Sequence, residues 1–408
     1  MKDRSLPDLI FGPLQYVTKQ NEHVFTAISE TDESGSYALW HVIHDVPEDS
    51  PEMEEIFISR ISEPLSGPHK VAEGADPNCL PTRTGGYISW IRKNFETNVW
   101  SINLSTFKKN LQIGSSIQVA TEVPRIFSGS YLVQLEDGAT GLVYLNISNN
   151  GRCVLHTYFL NSHEAVDQIL PIQSPEDFIV KSSQNIVIAA FETKENIELF
   201  RLEGRTWKRL TAFGKGKHSY PFRFDLVLTN ELIVFVMERN SNLETRVFNF
   251  THGGWTDNWE FCRYGNFPSI ASFGENSLVA WVGSEALPID LQGEGKEPAK
   301  QNFMIESRLA MQQQLQFSDK DLKNISEMEK IWGTPYLDPW ATLWIGVLND
   351  RGQCIKTYGP LGEGLDRNFM PRLSSANGRA ALLWRSTDRH SLEEKESCLI
   401  KARLISWG

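Results

Sequence analysis

Pro268-Ser269-Ile270 followed by Ser277-Leu278-Val279-Ala280-Trp281 has a near copy further along, in Pro371-Arg372-Leu373 followed by Ala380-Ala381-Leu382-Leu383-Trp384. Each copy reads as a proline and an apolar position, a short polar turn, and an apolar run closed by an aromatic ring. Pro124-Arg125-Ile126 leads in the same way to Tyr131-Leu132-Val133, and Pro81-Thr82-Arg83 leads to Tyr87-Ile88-Ser89-Trp90. Weaker copies end at Trp40, Phe191 and Phe235, which brings the repeats to seven. Two longer self-matches, 101–111 with 201–210 and 144–158 with 344–358, are apolar runs around a polar turn, the pattern of β-structure and hairpins.

The spacing selects the architecture. The runs end at 40, 90, 135, 191, 235, 281 and 384, so all intervals but the last are 44 to 56 residues. Two stretches read as additions to the repeat: 45–80, a proline-rich acidic loop with a short strand at Ile56-Phe57-Ile58, and 285–340, partly helical. In the second, Ser318-Asp319 caps a helix whose apolar stripe is Ile325, Met328, Ile331 and Trp332. Without these additions the unit is about 45 residues, the size of a four-stranded propeller blade. The runs are apolar at consecutive positions, as expected of strands covered on both faces. The expectation is therefore an all-β chain, one β-propeller over 1–408, seven-bladed in preference to six or eight, with four antiparallel strands per blade. The competing reading is a β-sandwich or two small β-domains.

Composition narrows the function classes. The 408 residues carry 40 Lys and Arg against 51 Asp and Glu, a net charge of −11. Such a surface repels polyphosphate and argues against nucleic acid as a partner. No stretch is long and apolar enough to span a membrane, and Met1 to Pro7 has no signal-peptide character, so the expected location is cytoplasmic, with non-classical export left open. Five scattered cysteines without a C-x-x-C argue against a disulfide framework or a zinc site. His41 and His44 differ by an odd number on a strand and face opposite sides, so no metal site is expected there. The short match Ser105-Thr106-Phe107-Lys108 is read as chance, and no catalytic signature or cofactor motif is present.

Four arginines stand at the starts of repeats: Arg83, Arg125, Arg223 and Arg372. If the leading strand of each blade lines a central channel, they converge as a cationic pocket for a carboxylate or phosphate. Asp225 and Glu122 are the acids expected to balance them, and the alternative is that each arginine pairs with an acidic neighbour or holds a blade-to-blade contact. Trp255 and Trp259, in Gly253-Gly254-Trp255-Thr256-Asp257-Asn258-Trp259, read as hairpin-tip rings able to stack on a sugar, or as core.

The proline leads, the aromatic-ended strands and the arginines resemble sialidases and related lectin-like propellers. The resemblance covers most of the chain as architecture. It implies an anionic sugar as ligand and, for a hydrolase, a Tyr/Glu nucleophile pair. The Asp-box of those proteins is not intact: Asp350-Arg351-Gly352 keeps its D-x-G core, with Leu348 and Ile355 where a serine and a tryptophan belong. Two functions follow as expectations. The first is a non-enzymatic protein-interaction platform binding through loops, channel face or the 285–340 insertion. The second is a carbohydrate-active propeller, lectin or sialidase-like hydrolase, binding at the arginine cluster.

Overall fold

The structure is a computed structural model. It describes residues 7–18, 24–33, 35–44, 46, 53–62, 65–123, 130–147, 152–173, 175–183, 185–214, 224–229, 231–239, 242–263, 265–289, 292, 342–362, 367–387 and 399–408. The described residues form seven antiparallel sheets and no α-helix, so none of their helices crosses a membrane.

Blade 1 is β3 (Val24–Asp32), β4 (Gly35–Ile43), β5 (Glu54–Ile61) and β6 (His69–Glu73). Blade 2 is β7 (Ala75–Thr82), β8 (Gly85–Asn94), β9 (Val99–Lys108) and β10 (Ile117–Thr121). Blade 3 is β11 (Ser130–Gln134), β12 (Thr140–Ile147), β13 (Arg152–Phe159) and β14 (Glu164–Gln173). Blade 4 is β15 (Asp177–Ser183), β16 (Ile186–Glu192), β17 (Asn196–Glu203) and β18 (Thr206–Gly214). Blade 5 is β19 (Phe224–Leu228), β20 (Leu232–Arg239), β21 (Asn242–Asn249) and β22 (Gly254–Arg263). Blade 6 is β23 (Gly265–Phe273), β24 (Asn276–Gly283), β25 (Leu343–Leu348) and β26 (Cys354–Tyr358). Blade 7 joins β27 (Arg367–Ala376), β28 (Arg379–Thr387) and β29 (Leu399–Trp407) to β1 (Leu9–Phe11) and β2 (Gln15–Tyr16), which pair with β29 from the other end of the sequence. The first strand of every blade lies against the first strand of the next, and β27 lies against β3. The ring is closed and seven-bladed.

The second strands show why the apolar runs do not alternate. In β24, Leu278, Ala280 and Val282 pack toward blade 7 with Leu373, Leu382 and Trp384. Val279 and Trp281 point the other way, onto Val234, Val236 and Leu243 of blade 5. Both faces of one strand are thus core, and every residue from Ile186 to Glu192 in β16 is buried. Six of the seven apolar runs are such second strands. The run at 131–133 is instead the first strand β11, and the matching second strand is β12.

The prolines mark a bulge. The ladder slips in β7 between Ala75 and Asn78, in β23 between Asn266 and Ser269, and in β27 between Phe369 and Arg372. The residue before each proline has positive φ: Asp76 at 47°, Phe267 at 53° and Met370 at 50°. Proline has no N–H for the ladder, so it sits where the pairing is interrupted. In blade 2 the equivalent proline is Pro77, and Pro81 lies further along the strand.

The expected loop insertion 45–80 is corrected: it contains β5, β6 and most of β7, regular parts of blades 1 and 2. Pro68 falls in the β5–β6 connection and Pro77 at the bulge; Pro47, Pro51 and Pro64 lie outside the described residues. The 285–340 insertion joins β24 to β25. Its described start crosses the outer strands, with Ala286 bridging Cys262 and the Gln292 side chain bonding both N and O of Cys354. The helical expectation for 302–333 lies outside the described residues.

Candidate functional site

The seven first strands bring one edge each to the axis, and short polar side chains tie neighbouring edges together. Asn78 accepts from the Leu132 N–H at 3.0 Å, Ser182 from Gln134 N–H at 2.9 Å, and Ser269 from Leu373 N–H at 3.0 Å. The Ser29 hydroxyl donates to the Arg372 carbonyl at 3.1 Å. These bonds satisfy backbone groups that no sheet ladder reaches.

Charged groups sit within this polar ring. Asp225 is the hub. Its Oδ1 accepts from Leu226 N–H at 2.8 Å and faces Lys181 Nζ at 3.1 Å; its Oδ2 accepts from Ile270 N–H at 3.1 Å and the Ser269 hydroxyl at 3.2 Å. One carboxylate therefore links blades 4, 5 and 6. Glu30 of blade 1 lies within electrostatic reach of Lys181 and Asp225 on the far side of the ring. Burial pushes its carboxyl up to about 7; Lys181 opposes the rise and Asp225 adds to it. Burial likewise raises Asp177 to about 6, against the Phe178 N–H and the Arg372 charge from blade 7. Among the described residues the cluster holds three carboxyls, Glu30, Asp177 and Asp225, and two cations, Lys181 and Arg372.

Of the expected arginines, Arg372 is placed on a first strand near the cluster. Arg83 lies in the β7–β8 turn, at the opposite end of the channel from the connections that hold 124–129 and 215–223. It is exposed and pairs with Glu33 of blade 1 at 3.0 Å. The mismatch follows from aligning on Pro81; the blade 2 position equivalent to Arg372 is Asn78. Arg125 and Arg223 lie outside the described residues. Asp225 was expected as a counter-charge to the arginines; Lys181 was missed because it adjoins no proline, and Glu30 because its repeat is one of the weak ones.

Trp255 and Trp259 are both in β22, the outermost strand of blade 5, and not at a loop tip. Trp255 packs edge-on against Phe213 of blade 4, with centroids 4.7 Å apart, and against Phe248 at 5.4 Å. Trp259 is half-buried under the Arg351 guanidinium, 5.9 Å from its centroid. The Trp255 position reads as an inter-blade seam. Trp255→Ala is expected to lower stability by about 2–4 kcal/mol, read as the shift in urea midpoint. An unchanged midpoint would show that the ring is dispensable to packing.

The remaining motifs stay apart. His41 is buried, 3.8 Å from a Glu54 oxygen, whereas His44 bonds Glu55 at 2.8 Å. No group of three metal-type ligands occurs among the described residues. Ser105 donates to the Gly114 carbonyl at 2.9 Å and Lys108 to Gln112 at 3.1 Å, so the S-x-x-K residues serve local turns. Asp350-Arg351-Gly352 forms the β25–β26 turn. Gly352 has φ of 80°, and its carbonyl accepts from Thr245 of blade 5 at 2.7 Å; an added Cβ would lie 2.9 Å from that hydroxyl. Cys79, Cys153, Cys262 and Cys354 are buried free thiols, all with raised pKa through burial.

No protein-family model matches the chain, and no curated protein matches it. Solved structures do. The hemagglutinin-neuraminidase ectodomain of parainfluenza virus 5 aligns over 98% of this chain and 85% of its own, at TM-score 0.48 and 7% identity. The phage phi92 endosialidase aligns over 97% and 69%, at TM-score 0.47 and 6% identity. The Aleuria aurantia lectin aligns over 67% and 90%, at TM-score 0.41 and 12% identity. The seven-bladed ring stands on its own strand pairing, and likenesses this remote transfer no ligand or activity to it.

Proposed function

We propose that the protein is a non-enzymatic propeller, an interaction platform whose contact surface is one end of the ring. The observation that carries this reading is the asymmetry of the connections. At one end, the turns joining first to second and third to fourth strands are short: 33–34, 83–84, 184–185, 204–205, 274–275 and 377–378 are typical, and 109–116 is among the longest. At the other end lie 44–53, 122–129, 215–223, 284–342, 359–366 and 388–398. Variable loops on a rigid scaffold are where binding surfaces are built. A protein partner is the corresponding ligand class.

The test replaces 293–341 by a short Gly/Ser linker, with circular dichroism confirming an intact sheet signal. Cross-linking and mass spectrometry of wild type and variant in cell extract should then show at least a tenfold loss of the main partner. Equal recovery from both proteins would overturn the reading.

A second reading keeps the carbohydrate class. Arg372 projects from β27, and the connections containing Arg125 and Arg223 enter β11 and β19 from the long-connection end. An anionic small molecule or glycan at that end is the ligand it implies. A glycan array separates the two readings, since a platform gives no selective signal there.

A further inference from the structure

The outermost position of blade 7 is filled by residues remote in sequence from the rest of that blade. β1 pairs with β29 as Leu9↔Trp407, Ile10↔Ser406 and Phe11↔Ile405, and β2 pairs as Gln15↔Ala402 and Tyr16↔Lys401. Around these pairs, Gly12 N–H donates to the Leu404 carbonyl and Val17 N–H to the Ile400 carbonyl, each at 2.8 Å. The segment also grips blade 6: Leu9 N–H donates to the Tyr358 hydroxyl at 3.2 Å, the Phe11 ring meets Tyr358 at 5.8 Å, and Asp8 pairs with Lys356 at 2.5 Å.

This hold is light. The outermost position is split into two strands, three and two residues long, whereas the outermost strands of the other blades are continuous and five to ten residues long. Leu9 and Val17 reach the core, but Ile10 is 54% exposed and Tyr16 49%. The Asp8–Lys356 pair is at the surface, where salt screens it. Without the segment, blade 7 keeps β27, β28 and β29 and most of its buried core, including Ala380, Leu382 and Trp384. Elements with few buried contacts and short ladders open at low free energy. Opening leaves the nine-residue β29 as a bare edge, which re-pairs readily with a strand of matching pattern.

We propose that residues 8–16 form an exchangeable clasp: the segment lifts from β29, and the same segment of a second copy takes its place. The occupant is identified by what the site reads. An acid must meet Lys356, a backbone N–H must meet the Tyr358 hydroxyl, and an aromatic ring must pack two residues after the first apolar one. Asp8, Leu9 and Phe11 meet these conditions in either copy, so every contact of the closed ring is restored between copies. Exchange of an identical element is a low-cost route to a dimer.

The test uses two variants, Ile10→Cys and Ser406→Cys, each adding one cysteine to a background that carries Cys398→Ser; the two positions face each other in the register. The double variant first establishes that the pair closes within one chain, with Phe11→Cys/Ile405→Cys as the second pair. The two single variants are then mixed at high concentration and mildly oxidised. A covalent heterodimer is expected, at least tenfold more abundant than with Glu275→Cys in place of Ile10→Cys. The amides of Gly12 and Val17 are expected to exchange with deuterium at least a hundredfold faster than those of Leu382 and Leu383. A heterodimer yield no greater than that of the Glu275→Cys control overturns the proposal. Equal protection at Gly12, Val17 and β28 would show that the clasp does not open at all.

Discussion

Asp225→Ala is expected to destabilise the ring by about 3–5 kcal/mol, read from urea unfolding at neutral pH. The carboxylate is nearly buried and accepts from Leu226 N–H, Ile270 N–H and the Ser269 hydroxyl while facing Lys181. Alanine leaves two backbone donors without an acceptor at the junction of blades 5 and 6, and strips Lys181 of its partner. The figure is not the sum of these terms, because Lys181 is partly exposed and water takes over some of its charge. Asp225→Asn keeps the shape and one acceptor oxygen and is expected to lose about half as much. If Asp225→Ala unfolds at the wild-type midpoint, the hub is not part of what closes the ring.

Glu30→Gln is expected to act in the opposite direction, and only at higher pH. Burial raises the folded-state carboxyl from 4.5 to about 7. The folded protein therefore holds this proton over a pH range where the unfolded chain has released it. The stability linked to it is fully present below about pH 4.5 and is lost as pH rises through about 7. The loss is roughly 3 kcal/mol at most, by the conversion of pKa shift to free energy. Glutamine has the shape of the neutral acid and does not ionise. The variant should match wild type near pH 4 and exceed it by about 3 kcal/mol at pH 8. Asp177→Asn should show the same sign with a smaller gain, in the window between 3.8 and about 6. Equal stability of Glu30→Gln and wild type at both pH values would show that the Glu30 carboxyl ionises freely in the channel.

Fold and site were not equally legible. The apolar runs of β4, β8, β16, β20, β24 and β28 are dictated by burial on both faces, a local consequence of stacking blade on blade, and so they repeat and can be counted. The 45–80 stretch misled because its prolines look like loop punctuation. Pro77 in fact occupies a bulge in β7, where a missing N–H costs the ladder nothing. Arg83 misled for the same reason: it stands five residues beyond Asn78, the true equivalent, which carries the side chain from the channel into the turn.

The channel cluster had no sequence signature. Glu30, Lys181 and Asp225 are far apart in the chain and belong to blades 1, 4 and 5, which come together only when the ring closes. Which charges meet at an axis depends on the height of each strand and the tilt of each blade, and composition does not contain either. The sequence by itself determined that the chain is a ring of repeated four-stranded sheets, because burying both faces of a strand writes a run of apolar residues wherever it occurs. Only the tertiary structure decided that the ring is fastened through β1 and β2 and that Asp225 meets Lys181 and Ser269 across three blades, because both depend on contacts between residues whose separation along the chain carries no periodic mark.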